Sequence, residues 1–170
     1  EADVALRLGN QPPETLVGRR VGRLAFAIYR SAIRCSHDTE APLPEQPWIG
    51  FDTEHAALAR RFAEFLPEVR PVYRVNSVAA AIAATKGGIG LAPLPCGLAD
   101  PEPDLVRIGE LPETFTLDLW LLTHEDLRRT ARIRAFLDFL AEVLAAEAPL
   151  LEGAGSHRNG SSIAPRPREG

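Results

Sequence analysis

Apolar and polar residues change their period within the segment 71–84, and this change predicts a strand followed by a helix. Residues 71–75 alternate apolar and polar positions and include β-branched and aromatic side chains, which is typical of a strand. Asn76 and Ser77 then offer side chains that cap helices, just before the alanine-rich apolar run 78–84. We therefore expect a helix that begins at Ser77.

The same segment continues into a second strand. Lys86 suits the carboxyl end of the helix, and Gly87 and Gly88 supply the positive-φ residues that end it. The run 89–95 is apolar on both faces, so we expect it to be buried in a parallel sheet. A right-handed βαβ crossover places the start of the helix at the carboxyl edge of the sheet, where open α/β sheets bind ligands. Phosphate-binding glycines precede a helix, whereas these follow one, so a nucleotide loop is not indicated.

Apolar stripes predict two further helices. Residues 55–66 have the spacing of an amphipathic helix capped by Asp52 or Thr53, with a broad apolar face. This face either packs on its own sheet or meets a partner. Residues 131–146 carry the most regular stripe, and Thr130 is the expected N-cap. Apolar runs bounded by turn residues predict the remaining strands, at 3–8, 24–29, 48–51, 105–108 and 117–122.

Several of these segments together resemble the effector-binding domain of LysR-type transcriptional regulators. The segment 74–95 carries the polar cap, alanine-rich helix, glycine turn and apolar strand ending in Leu-Pro, and its order agrees with residues 3–9, 105–108, 119–124 and 132–140. The resemblance implies an α/β fold of the type 2 periplasmic-binding-protein class, in which one of the two lobes is complete and the other is partial.

The resemblance also implies a domain organisation. Residues 1–151 form a partial effector-binding domain, in which about 21–100 are the second lobe and 1–9 and 117–147 are remnants of the first. We expect the Gly/Ser/Pro/Arg-rich residues 153–170 to be a disordered tail.

As a function, the resemblance implies sensing of a small-molecule effector by a homo-oligomeric regulator. DNA would be bound only by an N-terminal domain that lies outside this chain. The chain itself contains no methionine and is expected to be a fragment. The alternative is a periplasmic solute-binding protein of a transporter, which shares the fold. An enzyme is a weaker interpretation, because no nucleophile, base and orienting group can be assembled. A helix-turn-helix encoded upstream would support the regulator, and a signal peptide encoded upstream would support the solute-binding protein.

Composition narrows these alternatives. A net charge of −4 gives no positive footprint for nucleic acid, and no apolar run reaches the length of a membrane span. Cys35 and Cys96 fit free thiols in a reducing cytoplasm. Cys35 with His37, and the turn 124–126, have metal-ligating residue types but no converging second pair, so we expect no metal and no cofactor.

The ligand site is predicted where the strands lead into helices. Free backbone N–H groups and the positive end of the helix dipole suit a carboxylate, so the effector is expected to be anionic. Asp52 disfavours an anion at the helix 55–66, which leaves the start of the second helix. The predicted contacts are Asn76, Ser77 and Val78, the predicted walls are Gly50, Phe51 and Pro95, and Arg7 is a further candidate near the hinge.

Two alternatives to this site remain open. Asn76 and Ser77 could serve only as helix caps, since capping favours these residue types. Arg7 could be an ordinary exposed strand residue, since most arginines are solvated.

Overall fold

The computed structural model describes residues 2–9, 15–34, 41–52, 56–111 and 115–154. The described residues divide into two compact units: unit 1 lies within 1–25 and 116–155, and unit 2 lies within 26–115. The strands within the described residues are β1 (Val4–Leu8), β2 (Val17–Leu24), β3 (Phe26–Ser31), β4 (Ile49–Phe51), β5 (Tyr73–Val75), β6 (Ala92–Pro95), β7 (Leu105–Glu110) and β8 (Leu117–Thr123). The helices are α1 (Ala56–Phe65), α2 (Val78–Lys86), α3 (Cys96–Ala99), α4 (Ala131–Ala146) and α5 (Ala148–Leu151).

Unit 1 is an antiparallel sheet in the order β1-β8-β2, with α4 and α5 against β2. The central strand β8 is apolar and buried, with Leu121 and Leu122 almost inaccessible, because strands cover it on both sides. Arg19 ties β2 to α4 by donating to the Asp138 carboxylate at 2.9 Å and to the Leu137 carbonyl at 3.0 Å.

Unit 2 contains a three-stranded sheet in the order β6-β3-β7 and a separate pair of strands, β4-β5. β4 and β5 are parallel, and β3 pairs antiparallel with both β6 and β7. A parallel bridge between Trp48 and Leu91 joins the two groups, and the Ile49 N–H donates to the Leu91 carbonyl at 2.7 Å. The unit begins with Phe26 and ends its described part with Phe115, and these rings pack edge to face at 5.9 Å.

The expectation of a parallel sheet around residues 89–95 is only partly right. All of β6 is buried as predicted, but its longer pairing is antiparallel, with β3, and its parallel contact is the bridge at Leu91. A strand with apolar residues on both faces is expected to be buried, but this pattern does not indicate the direction of its neighbours. A strand with antiparallel neighbours is buried equally well when helices cover the sheet.

Helix α2 begins and ends where the sequence indicates. Ser77 is its N-cap, and the Ser77 hydroxyl accepts a hydrogen bond from the Ala80 N–H at 3.2 Å. Lys86 lies in the last turn and pairs with Glu102 at 2.6 Å. The prediction for the two glycines is half wrong: Gly88 has φ +79°, but Gly87 has φ −68° and lies in the right-handed helical region.

Helices α1 and α4 lie close to their predicted positions. On α1, Leu58 and Phe62 are buried, and the Phe62 ring packs against Trp48 at 5.0 Å; the expected cap Thr53 lies outside the described residues. α4 has the predicted bounds, but the Thr130 side chain makes no capping hydrogen bond. Residues 35–40 and 155–170, which include Cys35, His37 and most of the expected tail, also lie outside the described residues.

Candidate functional site

The carboxyl ends of β4, β5 and β6 meet at one edge of unit 2. Phe51 is in register with Val75 across the parallel pair, and the Asp52 N–H donates to the Val75 carbonyl at 3.0 Å. The bridge between Trp48 and Leu91 sets β6 in the same direction. The chain turns at this edge into α2 after β5 and into α3 after β6.

Six of the seven predicted site residues lie in unit 2 at or near this edge, and the seventh does not. Asn76, Ser77 and Val78 form the junction between β5 and α2, while Phe51 and Pro95 end their strands. Arg7 is exposed on β1 in unit 1, opposite Trp120. The sequence could not place Arg7, because its strand pairs with residues more than 100 positions away.

The start of α2 retains open hydrogen-bonding groups. The Ser77 hydroxyl satisfies the Ala80 N–H, and the Ser77 carbonyl satisfies the Ala81 N–H. Within the described part of the chain, the N–H groups of Val78 and Ala79 have no acceptor, as expected for the first positions of a helix. Asn76 is exposed, and its side chain takes no part in the cap. The serine therefore caps the helix, whereas the asparagine is available at the edge.

The predicted walls are less accessible than the predicted contacts. Phe51 retains 2% of its surface and Pro95 is fully buried, so both support the edge from the core. Gly50 lies under the ring of Pro71, where a Cβ atom would come within 2.6 Å of the proline Cγ.

A cavity of about 270 Å³ lies between α1 and the β4–β5 pair, and it separates the predicted residues into two groups. Gly50 and Phe51 line it, but none of Asn76, Ser77, Val78 and Pro95 does.

Two arginines that the sequence analysis did not select, Arg70 and Arg74, line this cavity. Arg74 donates to the Phe51 carbonyl at 3.1 Å, and Arg70 donates to the Pro67 carbonyl at 2.7 Å. Arg74 lies opposite Gly50 in the parallel register, which only the pairing of β4 with β5 reveals.

A buried polar cluster fixes the end of α3 behind the edge. The Tyr29 hydroxyl donates to Asp100 Oδ1 at 2.7 Å, and Arg107 donates to both oxygens of the same carboxylate. Burial raises the pKa of the Tyr29 phenol well above its usual value, and the hydrogen bond to Asp100 raises it further, so the phenol is a neutral donor. Cys96, the first residue of α3, is buried and forms no disulfide. The cluster therefore ties the end of α3 to β3 and β7.

The described residues contain neither a candidate metal site nor a candidate membrane span. No group of three or more His, Cys, Asp or Glu side chains there could hold a metal ion, and the turn 124–126 belongs to none. No helix in this part of the chain is long and apolar enough to span a membrane.

The sequence matches the family model described as LysR substrate binding domain over residues 1–145. The chain belongs to the LysR substrate-binding domain family. Its sheets and helices are those of a type 2 periplasmic-binding-protein-like domain, as the resemblance implied. Among curated protein sequences, none matches the chain.

Solved structures show the same fold at low identity. The regulatory domain of CrgA, a LysR-type regulator from Neisseria meningitidis, is 24% identical with a TM-score of 0.63, and the match covers 84% of this chain and 75% of that one. The regulatory domain of CcmR from Synechocystis PCC6803, in complex with 2-PG, is 17% identical with a TM-score of 0.65 (85% and 74% covered). The bromide-bound regulatory domain of HypT from Salmonella typhimurium is 12% identical with a TM-score of 0.62 (85% and 73% covered).

This membership establishes the class of function. The LysR substrate-binding domain is the effector-sensing part of a LysR-type transcriptional regulator, and the solute-binding alternative is not favoured.

Proposed function

We propose that this LysR domain senses a small anionic effector at the carboxyl edge of β4, β5 and β6. The N–H groups of Val78 and Ala79 and the side chain of Asn76 would contact the anion, with Ser77 holding the first turn in place. One observation at this junction carries the proposal. Ser77 alone caps α2, which leaves the Asn76 side chain and the N–H groups of Val78 and Ala79 available to a ligand.

The charge of the effector is proposed from the same geometry. Unpaired N–H groups at a helix start carry partial positive charge and stabilise an anion by about 0.3–1 kcal/mol when exposed. The bromide-bound structure of the HypT regulatory domain shows that a domain of this fold accommodates an anion. Arg7 is retained as a proposed further contact, and the walls Gly50, Phe51 and Pro95 as proposed supports.

A titration of the isotopically labelled chain with sodium sulfate and with sodium benzoate, at constant ionic strength, tests the site. We expect saturable shifts of the Val78 and Ala79 amide signals. Asn76→Ala should weaken binding about three- to tenfold without changing the melting temperature, because one polar contact to a charged ligand is lost. Ser77→Ala should lower stability by about 1 kcal/mol through loss of the cap, and Ser77→Thr, which keeps the hydroxyl, is its control.

Absence of saturable shifts at the α2 start with either anion, or unchanged affinity in Asn76→Ala, would overturn the site. A fall in melting temperature for Asn76→Ala equal to that of Ser77→Ala would instead show that both residues only cap the helix.

We also propose that the intact regulator is a cytoplasmic homo-oligomer. An exposed apolar stripe on α4, formed by Phe136, Phe139 and Val143, supports self-association. The outward positions of α1 include the charged pair Arg60 and Glu64, so the described part of α1 supports a subunit contact less strongly.

A further inference from the structure

Unit 1 contains a second cavity, unrelated to the edge of unit 2. It has a volume of about 570 Å³ and is bounded by β2, β8 and the first half of α4. Its apolar surface comes from Leu16, Val17, Leu121 and Leu137. The volume falls within the range of small-molecule sites, which are mostly apolar with a few polar groups that orient the ligand.

The rim of this cavity is basic. Arg19, Arg128 and Arg134 line it together with a single carboxylate, that of Asp138. Asp138 is already paired with Arg19 at 2.9 Å. Within the described residues, the guanidinium groups of Arg128 and Arg134 make no hydrogen bond or ion pair. The lining therefore has an excess of two positive charges beside an aliphatic surface.

We propose that this cavity binds an aliphatic carboxylate about the size of a medium-chain fatty acid. A carboxylate accepts paired hydrogen bonds from a guanidinium, and the leucine and valine side chains would cover the acyl chain. A neutral sugar matches the lining less well, because it would leave the charges of Arg128 and Arg134 without a counter-ion, and the Thr123 hydroxyl already donates to the Asp3 carbonyl at 2.7 Å. The leucine and valine side chains of the lining also distinguish the site from a purely basic surface for nucleic acid.

Sodium octanoate is the probe, and the chain labelled at its leucine and valine methyl groups is the sample. We expect saturable shifts of the methyl signals of the four apolar lining residues. Octan-1-ol, which has the same chain length without charge, should bind at least tenfold more weakly. Raising the salt concentration should weaken octanoate binding, since exposed charges are screened.

Variants at the rim test the role of charge. Arg128→Gln and Arg134→Gln should each weaken octanoate binding about three- to tenfold, and the double variant should weaken it further. Arg129→Gln removes the same charge from the neighbouring position, which does not line the cavity, and should change the affinity by less than twofold. Melting temperatures of all variants should match the parent, since these arginines are exposed.

The methyl shifts of the parent chain keep the proposal testable even if a variant misfolds. Octanoate shifts confined to the methyl groups of Val78 would assign binding to the other site and overturn this one. Equal affinity for octan-1-ol and octanoate, or equal effects of Arg129→Gln and Arg134→Gln, would also overturn it.

Discussion

Tyr29 shows how a single buried polar residue supports the candidate site without touching a ligand. It retains 1% of its surface, and its hydroxyl helps Arg107 to satisfy the Asp100 carboxylate. Removing the Tyr29 hydroxyl leaves Arg107 as the remaining side-chain donor to this partly buried carboxylate, and a lost hydrogen bond to a charged group costs more than one between neutral groups. The turn after Pro95 therefore depends on a residue that lies on β3.

We predict that Tyr29→Phe destabilises the chain by about 1–2 kcal/mol at pH 8, because Asp100 loses a donor. The folded-state pKa of Tyr29 lies above its unfolded value near 10, so the folded protein keeps the phenol proton at pH values where the unfolded chain loses it. The free energy of unfolding of the parent should therefore fall as pH rises above about 10, and the gap to Tyr29→Phe should narrow.

Urea unfolding of both proteins between pH 8 and 11 measures this difference. Tyr73→Phe, at a half-exposed tyrosine, is the control and should follow the parent at every pH. A constant difference between parent and Tyr29→Phe up to pH 11 would contradict the assignment.

Helix α2 illustrates how the end of an element depends on one backbone angle. Its carbonyl end passes through Gly87, which stays helical, and then through Gly88, which has a positive φ. A Cβ atom on Gly88 would also come within 2.5 Å of the Arg34 carbonyl oxygen. The two adjacent glycines therefore have different structural roles.

We predict that Gly88→Ala lowers the free energy of unfolding by about 2 kcal/mol or more, because it combines an unfavourable φ with a collision against backbone. Gly87→Ala should change it by less than about 0.5 kcal/mol, since its nearest contact would be at 3.3 Å and its φ suits alanine. Urea unfolding followed by the fluorescence of buried Trp48, in a Trp120→Phe background, reports on unit 2. Equal losses in the two variants would show that the angle is not decisive.

The elements also show what a single sequence can and cannot indicate. The spans of α2 and α4 and the cap at Ser77 follow from local periodicity and capping chemistry, and the structure has them. The antiparallel pairing of β6 with β3 joins residues more than 60 positions apart, which local patterns do not encode. Local patterns also do not encode the contacts of the Tyr29 cluster or the hydrogen bond from Arg74 to Phe51. The sequence therefore indicated the edge of the sheet but not the residues that support it.

One face of α4, in unit 1, carries a row of exposed apolar side chains. Phe136, Phe139 and Val143 retain 48%, 60% and 42% of their surface and recur on one face of α4. Leu6 and Leu8 on the outer strand β1 are also exposed. Contiguous apolar surface of this kind marks an interaction site.

We predict that the 170-residue chain self-associates through α4. Phe136→Ser combined with Phe139→Ser should shift it towards monomer in analytical ultracentrifugation, because the stripe loses its two largest side chains. Arg60→Ala combined with Glu64→Ala on the outward face of α1 is the control and should leave the distribution unchanged. A shift in the α1 variant instead would assign the contact to that helix, and a monomeric parent at high concentration would contradict both.

The order of strands in unit 1 has a consequence for synthesis on the ribosome. β1 and β2 each pair with β8 and not with each other, and all of unit 2 up to residue 115 is translated between β2 and β8. At about 5–20 residues per second, the first two strands wait roughly 5–20 s for the strand that joins them. The described part of unit 2 lies within one uninterrupted stretch, 26–115, and can fold during this interval. A ribosome that stalls before residue 117 therefore leaves β1 and β2 without β8, the strand with which each of them pairs in the described residues.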